Sequence, residues 1–316
     1  MRARLERRTF HAVGTRCAVA VTSRADDSRS AAEALEAAQA EVAACESALS
    51  RFDPRSDLCR LNEAGGKWVE VDPRLADALG LALRARKETG GRFDPTVLPA
   101  LAAAGYDRSF ELLLERPSRA PGAWRAGGEV ELEDGRARLG PGVAVDLGGI
   151  GKGYAAVRAL RAMRDAWPEL PGALVDLGGD IALQGEPPEG GRWRIAVKDP
   201  RSPGSTAGML LLDGGGVATS GRDVRRFGPG GTLHHLIDPS TGVSAAQGPL
   251  AVTVVARDAV EAELHATVLA MADVEKAAEH VARQPQISAV YVPHEGPSVQ
   301  LGEPPLAATR LVLTAA

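Results

Sequence analysis

Chemistry concentrates first in the stretch Asp146-Leu-Gly-Gly-Ile-Gly-Lys-Gly-Tyr154. Backbone N–H groups exposed by glycine turns at a helix start, with a positive helix end, suit an anion. Lys152 adds a mobile ammonium at the same place, so a diphosphate is the ligand class such a loop fits. The bland alternative is that the glycines only make tight turns. On either reading, a lysine at a loop–helix junction is expected to contribute little to the core. Two familiar phosphate motifs are excluded. The NTPase phosphate loop needs Gly where Asp146 stands and Ser or Thr where Gly153 stands, and the dinucleotide fingerprint needs Gly in place of Tyr154.

Six further positions carry groups able to do acid–base or metal chemistry. Asp53, Asp94 and Asp238 each precede a proline, and singly such residues are turn formers. His235, three residues before Asp238, has the chemistry of a general base, although a histidine beside a strand is more often a half-buried sheet residue. Glu263 and Thr267 are spaced i and i+4, which puts two oxygen donors suited to Mg²⁺ on one helical face. Glu and Thr on a solvated face are equally common.

These groups need elements to hold them. The run from Gly142 to Leu147 reads as a buried strand, followed by the glycine turn and a helix from Tyr154 to Trp167. Val-Asp-Leu-Gly-Gly recurs at Val175 to Gly179 after a second apolar run. The unit therefore reads as strand, helix, strand, with ligands outside the carboxyl ends of neighbouring strands. Upstream, Phe10 to Thr22 reads as a strand broken at Gly14-Thr15, and Asp26 to Ser50 as an amphipathic helix. Ser56 caps a short helix, Asp72-Pro73 opens another that Gly90-Gly91 closes, and Leu98 to Ala104 is an apolar helix. Asp107 to Gly128 reads as a surface connection, and Asp134-Gly135 as a two-residue hairpin turn. Downstream, Val217 to Arg222 reads as a small-residue loop and Leu233 to Gly242 as a strand ending in a turn. Asp258 and Glu261 resemble a capping box opening a helix to Met271. Strands at Trp193 to Val197, Met209 to Leu212, Leu250 to Val255, Ile287 to Val292 and Thr309 to Thr314, with a helix at Val274 to Arg283, complete an α+β pattern.

With 316 residues the chain can bury a sizeable core, and with only 4% aromatics that core is aliphatic. The net charge of −4 is interspersed, which argues against a nucleic-acid partner. Cys17, Cys45 and Cys59 lack metal-like or framework spacing, which suits a reducing compartment. The N-terminal residues are charged with no apolar run after them, so no export signal or membrane anchor is expected and the location reads as cytoplasmic. The organisation expected is a basic arm over residues 1–8 and a single domain over 9–316.

Taken together, these segments resemble the FAD:protein FMN transferase (ApbE) family. The resemblance runs from about residue 10 to 292 and rests on Gly14-Thr15, Ser50-Arg-Phe-Asp53 with Ser56 and Asn62, Phe93-Asp-Pro-Thr96, Asp146 to Tyr154, Leu177-Gly-Gly-Asp180, Ala218-Thr-Ser-Gly221, His235-Leu-Ile-Asp-Pro-Ser-Thr-Gly242, and Glu263 to Thr267. It implies a two-lobed α+β fold with mixed sheets, flanking helices and FAD in a cleft between the lobes. It also implies Mg²⁺-dependent transfer of FMN from FAD to a Ser or Thr hydroxyl of an acceptor flavoprotein. By position, Phe52, Phe93, Asp94, Lys152 and Asp180 would bind FAD, and His235 would take the acceptor proton. The Gly149 carbonyl with Glu263 and Thr267 would hold Mg²⁺. Three positions depart from the family pattern: Val13 replaces Met, Leu98 replaces Gly, and Glu263 replaces Asp. Two rival activities use the same residues, a FAD pyrophosphatase with water as acceptor and a FAD-binding protein without catalysis.

Overall fold

The computed structural model describes residues 3–108, 124, 126–202, 204–222, 226–227, 233–303 and 310–313. In chain order the elements are β1 (Arg4–Ala12), β2 (Thr15–Ser23), α1 (Ser28–Leu49), α2 (Asp57–Glu63), β3 (Val69–Glu70), α3 (Pro73–Glu88), α4 (Leu98–Ala103), β4 (Val130–Glu133), β5 (Arg136–Leu139) and α5 (Gly151–Ala166). There follow β6 (Gly172–Leu177), β7 (Ile181–Gly185), β8 (Trp193–Lys198), β9 (Thr206–Leu212), β10 (Gly215–Gly221), β11 (Arg226–Phe227), β12 (Leu233–His234), β13 (Ile237–Asp238), β14 (Val243–Ser244) and β15 (Ala251–Ala256). Last come α6 (Ala259–Leu269), α7 (Val274–Ala282), β16 (Ser288–Val292), β17 (Val299–Leu301) and β18 (Arg310–Leu313). The mixture is α+β, as expected. β1 begins at Arg4, so the strand takes in residues assigned above to a basic arm.

The chain divides into two compact units, each assembled from separated segments. The first comprises Met1–Ala44, Lys152–Gly221 and Pro249–Ala316. Its eight-stranded sheet runs β1-β2-β6-β7-β10-β15-β16-β17, and every one of these pairings is antiparallel. Two strands toward one side are buried on both faces: all six residues of β15 are buried, and all five of β16. Such runs, with no polar alternation, are what a sheet covered on both sides requires. A second sheet, β18-β9-β8, adds Trp193, Val197, Leu210 and Leu212 to a core shared with Ile181, Leu183 and Val255.

The second unit comprises Cys45–Gly151 and Arg222–Gly248. Its small sheet β3-β5-β4 is built on the Asp134-Gly135 hairpin, whose two turn residues both have positive φ, 42° and 77°. A turn of that kind matches the twist of the flanking strands. Helix α3 starts where Asp72 accepts a hydrogen bond from the Arg74 N–H with Pro73 in the first turn, and ends just before Gly90-Gly91. Tyr106 packs with Phe227, Ile237, Leu101 and Ala104 in an apolar cluster that draws on both segments of this unit.

Three sequence expectations are corrected. Residues 143–147 form no strand. Their backbone is satisfied instead by Asn62, whose amide nitrogen donates to the Val145 carbonyl at 2.9 Å and whose amide oxygen accepts from the Val145 N–H at 2.8 Å. A side-chain amide thus supplies the pairing a neighbouring strand would have given. The strand–helix–strand unit with adjacent glycine turns is accordingly absent, since β6 pairs antiparallel with β2 and β7. Residues 217–221 are strand β10 rather than a loop. The strand, which begins at Gly215, is glycine where it meets α6: a Cβ on Gly216 would lie 2.1 Å from the Asp258 carbonyl carbon. Most of the expected connection from Asp107 to Gly128 lies outside the described residues.

Candidate functional site

The glycine-rich stretch opens α5 at Gly151, three residues earlier than the sequence suggests, and the helix continues into the first unit from Lys152. Gly153 must be glycine, because a Cβ there would sit 2.2 Å from the Ala259 carbonyl oxygen at the first turn of α6. The close crossing lets α6 aim a side chain at the N-terminus of α5. Glu263 accepts a hydrogen bond from the Gly153 N–H at 2.8 Å through Oε2. The anion at this helix start is therefore the protein's own carboxylate, a favourable placement for negative charge.

Lys152 completes the cluster. Its Nζ lies 3.2 Å from Glu263 Oε1 and pairs directly with Asp180 Oδ2. Asp180 follows the Gly178-Gly179 turn after β6, where both glycines have positive φ. A Cβ on Gly178 would meet Thr15 Oγ1 at 2.5 Å, so that position leaves no room for a side chain. Asp180 and Glu263 are each 2% exposed. Two buried carboxylates thus share one ammonium, a net charge of −1. Lys152 is the counter-charge of the buried cluster, which corrects the expectation that it contributes little to the core. Glu263 is no solvated surface residue either.

These groups fit a hard divalent cation on one observation. Glu263 Oε1 is buried and takes no hydrogen bond, only the ionic contact with Lys152. Thr267, half-buried one turn along α6, adds a hydroxyl on the same face. Among the described residues no group of three or more His, Cys, Asp or Glu side chains gathers around a metal position. A cation here would therefore need hydroxyl or carbonyl oxygens besides Glu263.

The second unit holds the remaining predicted residues. Phe52 presents its ring to solvent, at 42% exposure, from the turn between α1 and α2. The Arg51 guanidinium lies 4.1 Å from the Phe52 ring centre and 4.4 Å from that of Tyr106. Arg51 also pairs with Asp146 at 2.5 Å and donates to the Tyr106 carbonyl at 3.1 Å. This clamp ties the aromatic platform to the start of the glycine-rich stretch, with Gly149 half-buried in the turn that follows. Sequence reasoning passed over Arg51 and Tyr106. The available signal was an arginine directly before an exposed aromatic.

Phe93 is buried, and Asp94 is a turn-builder. Asp94 Oδ1 accepts from the Thr96 N–H and hydroxyl at 2.8 and 2.7 Å, and Oδ2 from the Gly127 N–H at 2.6 Å. His235 sits half-buried between β12 and β13. Asp238 accepts from the Ser240 N–H and hydroxyl at 2.8 and 2.7 Å, so its carboxylate shapes the following turn.

The fold is α+β, and its most concentrated charge is a lysine-bridged carboxylate pair at a helix start. Its particular kind follows from comparison. Residues 13–291 match the sequence model of the ApbE family, and the chain belongs to that family. An "FAD:protein FMN transferase" of Klebsiella pneumoniae (strain 342) is 31% identical over 278 residues, covering 84% of this chain and 78% of the relative. One of Treponema pallidum (strain Nichols) is 30% identical over 303 residues, covering 89% and 82%. Among solved structures, the ApbE protein of Thermotoga maritima superposes with a TM-score of 0.83 at 29% identity, covering 94% of this chain and 97% of its own. The Vibrio cholerae flavin transferase ApbE has the same fold, with a TM-score of 0.78 at 22% identity and coverage of 94% and 96%.

Proposed function

We propose that this chain is an FAD:protein FMN transferase that moves FMN from FAD to a Ser or Thr hydroxyl of an acceptor flavoprotein and releases AMP, with Mg²⁺ as cofactor. Family membership and the relatives' names support the coarse activity. The observation that carries the finer chemistry is the Lys152, Asp180 and Glu263 cluster at the start of α5.

In the reaction the acceptor oxygen bonds to the FMN phosphorus, the pyrophosphate bridge on that side breaks, and AMP keeps the bridging oxygen. Such transfers depend on positioning and on cancelling negative charge. Lys152 is suited to shift from its carboxylates to a phosphate oxygen, and the α5 N-terminus adds fixed N–H dipoles. His235 accepts the hydroxyl proton, so that charge does not build on the attacking oxygen. Phe52 stacks on the flavin, with Phe93 and Asp94 shaping the same unit. Glu263, Thr267 and the Gly149 carbonyl would hold Mg²⁺, whose charge would offset that of the diphosphate. Residues 9–316 act as one catalytic domain in this reading. No described helix is long and apolar enough to cross a membrane. The cytoplasm is taken as the compartment on the composition argument given above.

Incubation with FAD, Mg²⁺ and a candidate acceptor, followed by intact-mass analysis, tests the proposal. A gain of one FMN on the acceptor supports transfer. Free FMN with AMP indicates the pyrophosphatase, and unchanged FAD indicates a binder.

A further inference from the structure

We infer that His234 is a positioning residue, one that holds the neighbouring His235 in place only while its own ring is neutral. The inference rests on the reading of His235 as proton acceptor. His234 itself is 3% exposed, and both ring nitrogens are engaged. The Leu236 N–H donates to Nδ1 at 3.3 Å, so Nδ1 must be the bare nitrogen. Nε2 therefore carries the proton and donates to the Ala245 carbonyl at 3.0 Å. One tautomer alone satisfies both partners.

The backbone of His234 is fastened as well. Its carbonyl accepts from the Ser244 hydroxyl at 2.7 Å, and its N–H donates to Ser244 Oγ at 3.3 Å. His235 is thus the residue between two clipped positions, His234 and Leu236. The ring bond from Leu236 to His234 spans His235 directly.

Protonating His234 puts a second donor against the Leu236 N–H and opens that clip. The surroundings oppose the charge. Burial holds the ring's pKa below the ordinary histidine value, with Arg222 and Arg226 acting in the same direction against the Ala245 hydrogen bond. Arg226 faces His234 across the β11–β12 pair. The nearby Asp238 carboxylate is taken up by Ser240. The clip is therefore closed at neutral pH and opens only on the acid side of the ordinary histidine range.

The test is a pH profile of FMN transfer for the wild type, His234→Asn, His234→Ala and His235→Ala. Asn at 234 accepts the Leu236 N–H as an Asx turn but cannot titrate. The wild-type log kcat falls on the acid side with a slope approaching about 2, one proton on each histidine, and His234→Asn reduces that slope to about 1. His234→Ala loses about tenfold in kcat at pH 8 with the KM for FAD unchanged, as for a misplaced base. ¹⁵N spectra of histidine-labelled protein, independent of activity, show His234 protonated on Nε2 at neutral pH. An unchanged slope in His234→Asn, wild-type kcat in His234→Ala, or a proton on Nδ1 overturns the positioning role. Retained transfer in His235→Ala is a separate result and overturns the base assignment.

Discussion

A single buried residue can decide whether a site is stable or merely present, and Lys152 is such a residue. Removing it leaves Asp180 and Glu263 buried without their counter-charge, a situation that is strongly destabilising. Lys152→Ala should therefore lower unfolding free energy by roughly 2–4 kcal/mol. Lys152→Ala combined with Glu263→Gln should recover part of that loss, and a double-mutant cycle in urea measures the coupling. A loss in the double variant equal to the sum of the losses in Lys152→Ala and Glu263→Gln would show that the two charges do not interact. At Glu263 itself, Gln retains an acceptor for the Gly153 N–H but carries no charge. Glu263→Gln should therefore fold normally and raise the Mg²⁺ concentration needed for half-maximal transfer by about tenfold or more. A Mg²⁺ titration matching the wild type would remove Glu263 from the metal site. The residue types at 152, 180 and 263 were legible in the sequence as charges in suggestive places. That one lysine bridges two carboxylates was not, because ion pairing between positions 28 and about 110 residues apart is a tertiary fact.

At the scale of elements, the hairpin joining β1 and β2 is a point of avoidable strain. Its two-residue turn is Val13-Gly14, with φ of 48° and 66°. A β-branched residue in that region is a true outlier, whereas asparagine tolerates it. Val13→Asn should stabilise the protein by about 1 kcal/mol, read as a higher urea midpoint at unchanged slope. An unchanged or lower midpoint would mean that contacts of the valine side chain outweigh its backbone strain. Helices were the most legible elements, because caps announce them. Ser56, Asp72 and Asp258 each accept from a backbone N–H as the sequence suggests. Strands were less so. The run at 143–147 has strand composition but meets Asn62 instead of a neighbour. β10 looks like a loop because glycine and alanine are what the first turn of α6 leaves room for.

The whole molecule is woven from segments far apart in sequence, and its stability should reflect that. The second unit draws Phe227 and Ile237 from beyond residue 222 into the cluster around Tyr106. A fragment of residues 45–151 should therefore show no cooperative thermal transition, while 45–151 linked to 222–248 should melt cooperatively. A sharp transition in the shorter fragment would show that its core is complete without those side chains. The sheet of the first unit carries a further consequence, set in time. β2 pairs on one edge with β1, its immediate predecessor, and on the other with β6, which begins at Gly172. At ribosomal speeds of about 5–20 residues per second, the intervening roughly 150 residues take about 7–30 s to make. Throughout that interval the run from Cys17 to Val21, wholly buried at the end, has an open edge of unpaired N–H and C=O groups. Hairpins of this size close in microseconds. The nascent chain thus spends the making of about 150 residues with a finished, sticky strand awaiting its partner, the state that holdase chaperones recognise.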